Sequence, residues 1–350
     1  MVRRFAFAVP GDLATPTGGY AYDRRMIAEL TDLDWQIDVL DLGEGFPWPG
    51  EATRTAARTQ LLAIPAGRPI VIDGLALGVL PEAASELAGR NPLLALVHHP
   101  LALEQGLTAD RARALRTSER AALAAVQGVV VTSQATARLV SSDYAVPAER
   151  ISVVRPGCDP ARPAEGSKDG IVRLLSVGAV VPRKGYDVLV AALATLRDLP
   201  WQLTIAGDRT RDRDTATRLD ADIAHHALAH RVALPGAVSP QRLAALYAEA
   251  DVFVLASHFE GYGMAYAEAV AHGLPVIGTT AGAIAETVPA DASLLVAPGD
   301  IPALSQALRR VIADAGLRRR LAGAARAAAP QLPTWPDSAR IFSRALEALT

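Results

Sequence analysis

At 350 residues the chain is long enough for two domains that each bury a core of their own. Hydrophobic residues make up 50% and charged residues 21%, which excludes disordered, fibrous and collagen-like classes. The net charge of -2 excludes a general nucleic-acid binder, which needs a basic excess to neutralise phosphates.

The chain opens with Met1-Val2-Arg3-Arg4 before the apolar run 5–9, an arrangement that imitates a signal peptide. The run is too short for one and stops at Pro10-Gly11, as a first β-strand would. Short apolar runs then alternate with segments of helical period, the pattern of parallel α/β architecture. Strands are predicted at 5–9, 37–42, 70–73, 93–97, 129–131 and 151–154, with helices at 21–30, 118–126 and 134–140. The polar, proline-rich stretch Pro160–Ser167 reads as a linker. A second series follows, with strands at 174–177, 202–206, 231–234, 252–255, 276–278 and 293–296. Helices are predicted there at 186–196, 240–249, 264–272 and 301–313. Residues 1–160 and 161–333 are thus expected to form two doubly wound, Rossmann-like domains. The amphipathic segment 335–349 carries Ile341, Phe342, Ala345 and Leu346 on one face, and residues 334–350 are expected to return to the first domain. No apolar run has the length of a membrane span, so no integral membrane segment is expected. The lone Cys158 rules out an internal disulfide and fits a reducing cytoplasm. Oligomeric state has no signal in the sequence.

Ligands of open parallel sheets bind beyond the carboxyl ends of the strands, so those ends carry the functional reading. After the first strand, Gly18-Gly19 stands at a helix start, where free N–H groups and missing side chains let an anion approach. A plain flexible loop is the competing reading, and G-x-G-x-x-G spacing is absent. His98-His99-Pro100 closes the strand at 93–97, where a histidine suits hydrogen bonding to a sugar hydroxyl or proton transfer. A structural histidine explains it equally well. Asp73 ends the strand before. In the second series, Arg183-Lys184 follows a strand and could neutralise a diphosphate. Only Lys168 and Lys184 are lysines among 35 basic residues, so a lysine here is a departure from the default cation. The richest stretch is Ser257-His258-Phe259-Glu260-Gly261-Tyr262-Gly263-Met264, running on to Glu268 and then Gly273-Leu274-Pro275-Val276. A strand, a glycine-rich turn and a helix start again present N–H groups to an anion. The separation of Glu260 from Glu268 suggests two carboxylates on one face, able to bind different hydroxyls of one ligand.

The E-x(7)-E pattern of Glu260 to Glu268 followed by Gly-Leu-Pro-Val resembles the retaining glycosyltransferases of family 4, which have the GT-B fold. The resemblance extends to Gly18-Gly19, His98, Arg183-Lys184-Gly185, Gly207-Asp208, Gly282 with Glu286, and the Trp335-Pro336 helix. It implies two Rossmann-like domains facing across a cleft, and transfer of a hexose from a nucleotide-sugar, UDP first and GDP second, to a hydroxyl-bearing acceptor. Lys184 and an arginine would hold the donor diphosphate. The family's usual arginine position is Ala179 here, which turns attention to Arg183. Glu268 would bind the donor ribose. Glu260 would bind hydroxyls of the transferred sugar, helped by the N–H groups of Gly261, Tyr262, Gly263 and Met264. His98 would stand near the reacting carbon, with Gly18 and Gly19 approaching the ligands and His99 and Asp73 on the acceptor side. No metal and no other cofactor is implied.

Two rival readings keep this architecture: a nucleotide-sugar epimerase, recognised by a changed sugar without transfer, and a catalytically silent sugar-nucleotide-binding protein. His226 and His230 with Asp222 imitate a metal site but lack an H-E-x-x-H context, so a solvated helix face is expected. Asp212-Arg213-Asp214 and Asp220-Ala221-Asp222 read as polar surface, and Arg318-Arg319-Arg320 as an exposed helix face.

Overall fold

The computed structural model of the chain describes residues 3–349. Met1 and Val2, which begin the signal-like stretch and the first expected domain, and Thr350, which ends the third segment, lie outside the described residues. The chain divides into two compact units: residues up to Gly157 together with those from Pro333 onward, and Cys158–Leu332.

The first unit holds a parallel sheet of β1 (Arg3–Val9), β2 (Trp35–Asp41), β3 (Ile70–Asp73), β4 (Leu93–Val97), β5 (Gly128–Val131) and β6 (Ile151–Val153), in the order β2-β1-β3-β4-β5-β6. Its helices are α1 (Gly18–Asp32), α2 (Glu51–Leu62), α3 (Gly74–Leu77), α4 (Pro81–Ala88), α5 (Ala109–Ala125) and α6 (Gln134–Tyr144). β3, β4 and β5 are buried along their whole length, as central parallel strands covered on both faces must be. Thr17 explains why α1 begins at Gly18 rather than at 21: its hydroxyl accepts from the Tyr20 N–H and caps the first turn through both glycines.

The second unit is built from β7 (Val172–Val177), β8 (Trp201–Ala206), β9 (Val232–Gly236), β10 (Val252–Val254), β11 (Val276–Thr279) and β12 (Ser293–Val296). Their order is β12-β11-β10-β7-β8-β9, again all parallel. The helices are α7 (Tyr186–Ala194), α8 (Arg213–His225), α9 (Pro240–Glu249), α10 (Met264–Ala271), α11 (Ile284–Thr287), α12 (Ile301–Ala313) and α13 (Ala315–Ala328). The stretch read as a linker has no regular structure, yet it is held down on this unit. The Ala164 N–H donates to the His272 carbonyl at 2.7 Å and the Glu165 N–H to the Ala248 carbonyl at 3.1 Å.

The last helix, α14 (Trp335–Glu347), packs on the first unit. Trp335, Ala339, Phe342, Ala345 and Leu346 face inward, and Ile341 is half-buried at the edge of that face. Ser338 Oγ donates to the Arg155 carbonyl at 2.6 Å, and Trp35 Nε1 to Ser343 Oγ at 2.9 Å. Gly157 is needed beneath it, since a Cβ there would lie 2.2 Å from the Trp335 nitrogen. Among the described residues no helix is long and apolar enough to cross a membrane.

Candidate active site

In the second sheet β7 and β10 are neighbours from which successive strands wind outward in opposite directions, so the topological switch point lies between them. A crevice beyond the carboxyl ends of two such strands is where open α/β sheets bind ligands. The loop after β7 turns through Pro182–Lys184, and Gly185 at φ 63° starts α7. The loop after β10 runs from Leu255 to Gly263. The His258 N–H donates to the Arg183 carbonyl at 2.8 Å and ties the two loops together.

Glu260 is the meeting point. Its Oε1 accepts from Lys184 Nζ at 2.7 Å and from Ser257 Oγ at 2.6 Å, and its Oε2 from Arg183 Nη1 at 3.1 Å. Arg183 Nη1 also donates to the Phe259 carbonyl at 2.8 Å. Burial alone would raise the Glu260 carboxyl, which is 6% exposed, but Lys184 and Arg183 outweigh it and hold it down to about 2. Lys184 and Arg183 thus bring two cations to one carboxylate in the turn that leads into α10. Arg183 supplies an arginine to the loop in which position 179 is alanine. Gly178 makes room for the lysine stem: a Cβ there would lie 2.9 Å from Lys184 Cε. Gly282, at φ 61°, lets the neighbouring turn press so close that a Cβ would stand 2.2 Å from the Glu260 carbonyl. The Ala283 N–H donates to that carbonyl at 2.9 Å.

Glu268 lies on α10, where its Oε2 accepts from the Tyr247 hydroxyl at 2.9 Å. Burial pushes its carboxyl up to about 6, although the Tyr247 hydroxyl pulls the other way. The idea that helical spacing aligns Glu260 with Glu268 is corrected here. α10 begins only at Met264, after Gly263 at φ 92°, so Glu260 stands in a turn and its placement comes from that turn. Tyr262 is buried, and Thr287 donates to its carbonyl at 2.6 Å.

The first unit gathers a second cluster, also at its strand ends. His98 follows β4, Asp73 ends β3, and Asp23 comes from α1, which follows β1. His98 Nε2 lies 3.1 Å from Asp23 Oδ1 and 3.4 Å from Asp73 Oδ2. Gly19 packs on the ring, a Cβ there falling 3.3 Å from His98 Cδ2, and Tyr22 meets it edge-on at 5.3 Å between centroids. Gly18 has open space around its Cα. Burial works against the imidazolium, yet Asp23 and Asp73 outweigh it and raise His98 to about 10. Burial pushes Asp23 up to about 6 despite the pull of His98. One polar atom from each of Asp23, Asp73 and His98 lies within 4.8 Å of the other two, and within the set His98 Nε2 and Asp23 Oδ1 are hydrogen-bonded. Asp73 Oδ1 also accepts from the Leu75 N–H at 2.7 Å, capping α3. His99 is directed elsewhere, its Nε2 3.1 Å from Glu104 Oε2.

Sequence reasoning missed Asp23, Ser257 and Tyr247. Asp23 had a signal, an acid on the same helix face as Tyr22, Met26 and Leu30. Ser257 and Tyr247 had none, since their partners are defined only by the turn and by packing. The imitation metal site dissolves: α8 ends at His225 and Ala227 turns left-handed at φ 49°, so His226 and His230 share no helix face. Asp212 caps α8 through the Thr215 N–H, and Asp220 pairs with Arg209. Arg318 is no exposed arginine: it is half-buried and caps α12 by donating to the Val311 and Ile312 carbonyls, each at 2.8 Å.

Both halves of the chain match known protein families. The family "Glycosyl transferases group 1" matches residues 159–328, and "Glycosyltransferase Family 4" matches residues 47–162. The chain is a family 4 glycosyltransferase. Over 344 residues the transferase is 29% identical to an MMP alpha-(1->4)-mannosyltransferase of Mycolicibacterium hassiacum, covering 91% of this chain and 80% of that one. It is 32% identical to a D-inositol 3-phosphate glycosyltransferase of Xylanimonas cellulosilytica, over 63% of this chain and 57% of the other. The chain thus spans little more than half the length of some curated relatives. Among solved structures, sucrose-phosphate synthase from Thermosynechococcus elongatus aligns over 99% of both chains with a TM-score of 0.83 at 22% identity. Anabaena HepE, in complex with UDP and glucose, aligns with a TM-score of 0.77 at 18% identity, over 98% of this chain and 99% of that one. The transferase has the two-domain α/β architecture of the GT-B fold.

Proposed function

We propose that the transferase moves a hexose from a nucleotide-sugar, UDP-linked in first place and GDP-linked in second, to a hydroxyl-bearing acceptor with retention at the anomeric carbon. The observation that carries this is the Lys184–Glu260–Arg183 cluster beside the start of α10. Breaking a sugar–phosphate bond develops negative charge on the departing diphosphate. Fixed cations and helix N–H groups stabilise that charge without reorganising, and without a metal. In this reading Lys184 and Arg183 meet the diphosphate. Glu260 and the N–H groups of Gly261 to Met264 meet the transferred sugar, and Glu268 accepts from the ribose hydroxyls. In the first unit His98, Gly18 and Gly19 take a ligand-binding role in this reading, and His99 and Asp73 an acceptor role. UDP comes first because HepE was solved with UDP and with UDP-glucose. The sole cysteine favours work in a reducing compartment such as the cytoplasm.

The test is a transfer assay with nucleotide-sugar donors and a panel of sugar, polyol and phosphorylated acceptors, run with and without EDTA. Product NMR reads the anomeric configuration. Transfer with retention, undiminished by EDTA, supports the reading. A donor epimerised without an acceptor, inversion, or loss of transfer with EDTA would each contradict a named part of it.

A further inference from the structure

Asp23 is fully buried on the inner face of α1 between Tyr22 and Met26, a place where an unpaired acid costs several kcal/mol. Its Oδ1 is 3.1 Å from His98 Nε2, and its Oδ2 has no hydrogen-bond partner among the described residues. A carboxylate oxygen of Asp73 lies within 4.8 Å of one of Asp23, and Asp73 Oδ2 lies 3.4 Å from the same imidazole nitrogen. The Nε2 edge of the ring is thereby turned toward α1, with Gly19 against Cδ2. Tyr22 fixes the face of the ring, its hydroxyl tied to the Val154 carbonyl at 3.1 Å. Thr132 Oγ1 donates to the His98 carbonyl at 3.2 Å and holds the backbone. Nδ1, on the opposite side, makes no hydrogen bond among the described residues, while the side chain keeps 20% exposure.

We propose that Asp23 is a positioning residue which, with Asp73, holds the His98 ring by its Nε2–H edge as an imidazolium and so presents Nδ1–H, a hydrogen-bond donor, to an oxygen of a hydroxyl-bearing ligand at the carboxyl edge of the first sheet. The identity of the ligand rests on the donor-sugar reading above; the state of His98 does not. A neutral ring bonded to Asp23 through Nε2–H would leave Nδ1 a bare acceptor, suited to taking a proton from a hydroxyl. Two carboxyl groups on one nitrogen favour the charged ring instead. The charged groups that set this state are Asp23 from α1 and Asp73 from β3. Tyr22, whose phenol burial keeps neutral, and Thr132 add no charge. His98 then serves as a donor at neutral pH and has no basic lone pair to offer.

The experiment is 15N-edited NMR of the imidazoles in the intact protein between pH 6 and pH 9, with the His98 signals assigned by their absence in His98→Gln. In the wild type both His98 nitrogens are expected in the imidazolium range throughout. In Asp23→Asn, which keeps the shape of the side chain, the His98 pKa is expected to fall by about 1–3 units, bringing its titration into or close to the window. Asp73→Asn, whose amide oxygen can still cap α3, provides a second variant if the first does not fold, with a fall in the same direction. A wild-type His98 that titrates near its ordinary 6.5, or one with an unprotonated Nδ1 at pH 7.5, overturns the proposal. So does a His98 unmoved by either substitution. If the imidazolium is found but no nucleotide-sugar perturbs it at saturating concentration, the donor reading falls and the state of His98 stands.

Discussion

Lys184 carries out a task that the chain's default cation would do differently. Its ammonium is a compact charge on a thin stem that crosses Gly178 and ends 2.7 Å from Glu260 Oε1, while Arg183 reaches the same carboxylate from beside it. Lys184→Met leaves Glu260 buried with Arg183 and Ser257 as remaining partners, and stability at pH 7 is expected to fall by about 2–4 kcal/mol. The pH dependence has a definite sign. The Glu260 carboxyl is held down to about 2, so its ionic stabilisation is complete above the ordinary 4.5 and fades as pH falls toward 2. Denaturant midpoints of wild type and variant should therefore converge below pH 4.5. A gap that stays constant down to pH 3 would place the effect outside the ion pair. Glu268 behaves in the opposite way. With its carboxyl at about 6, it is ionised, as the proposed ribose contact favours, only toward neutral pH. Calorimetric affinity for the preferred nucleotide is expected to be about tenfold weaker at pH 5 than at pH 7. Glu268→Gln should bind weakly and lose that dependence. The lysine and both glutamates could be picked out in the sequence because their chemistry is unusual for their surroundings. Asp23 was harder to assign, because the apolar helix face that marks it as buried does not reveal its partners, His98 and Asp73, which arrive from the ends of two strands.

Elements were readable where a single physical cause sets both ends. β3, β4, β12, α9 and α12 run as their apolar pattern requires, and the two helices start after capping residues, Ser239 and Asp300. The reading fell short where the cause is tertiary. β2 begins at Trp35 because β1 pairs with it from Arg3 onward, carrying the ladder into polar residues. α2 went unnoticed because only Ala57 and Leu61 are buried along it. The loops around Glu260 depend on glycine for a reason the sequence hints at and the structure specifies. Gly282 combines a left-handed φ of 61° with backbone 2.2 Å from where a Cβ would be. Gly282→Ala is expected to cost about 2–4 kcal/mol and to weaken nucleotide binding with it. Gly323 lies inside α13 in the same unit with nothing within 4 Å, so Gly323→Ala is expected to gain about 0.5–1 kcal/mol. Urea unfolding of both variants checks the contrast; equal effects would mean that close approach at Gly282 is not what the glycine supplies.

At the scale of the molecule, the strand orders explain where chemistry can gather. Each sheet brings loops from non-consecutive strands to one carboxyl edge: β7 with β10 in the second unit, β1 with β3 and β4 in the first. That alternation of strands and helices was legible from hydrophobic pattern alone, and so was the amphipathic last segment. What α14 packs against was less so, because Gly157 beneath Trp335 and the bond from Ser338 to Arg155 are matters of long-range fit. The nucleotide is directly accessible to experiment. The most direct measurement is thermal unfolding of the wild type, Lys184→Ala and Glu268→Ala with UDP, GDP, ADP and their sugar conjugates. A ligand at 100 times its Kd adds about 2.7 kcal/mol to the unit that binds it, a clear rise in melting temperature. One nucleotide series, UDP before GDP, should stabilise the wild type, with the response lost in both variants. No shift with any nucleotide at millimolar concentration, or a shift that both variants retain, would contradict a donor site built on Lys184, Glu260 and Glu268.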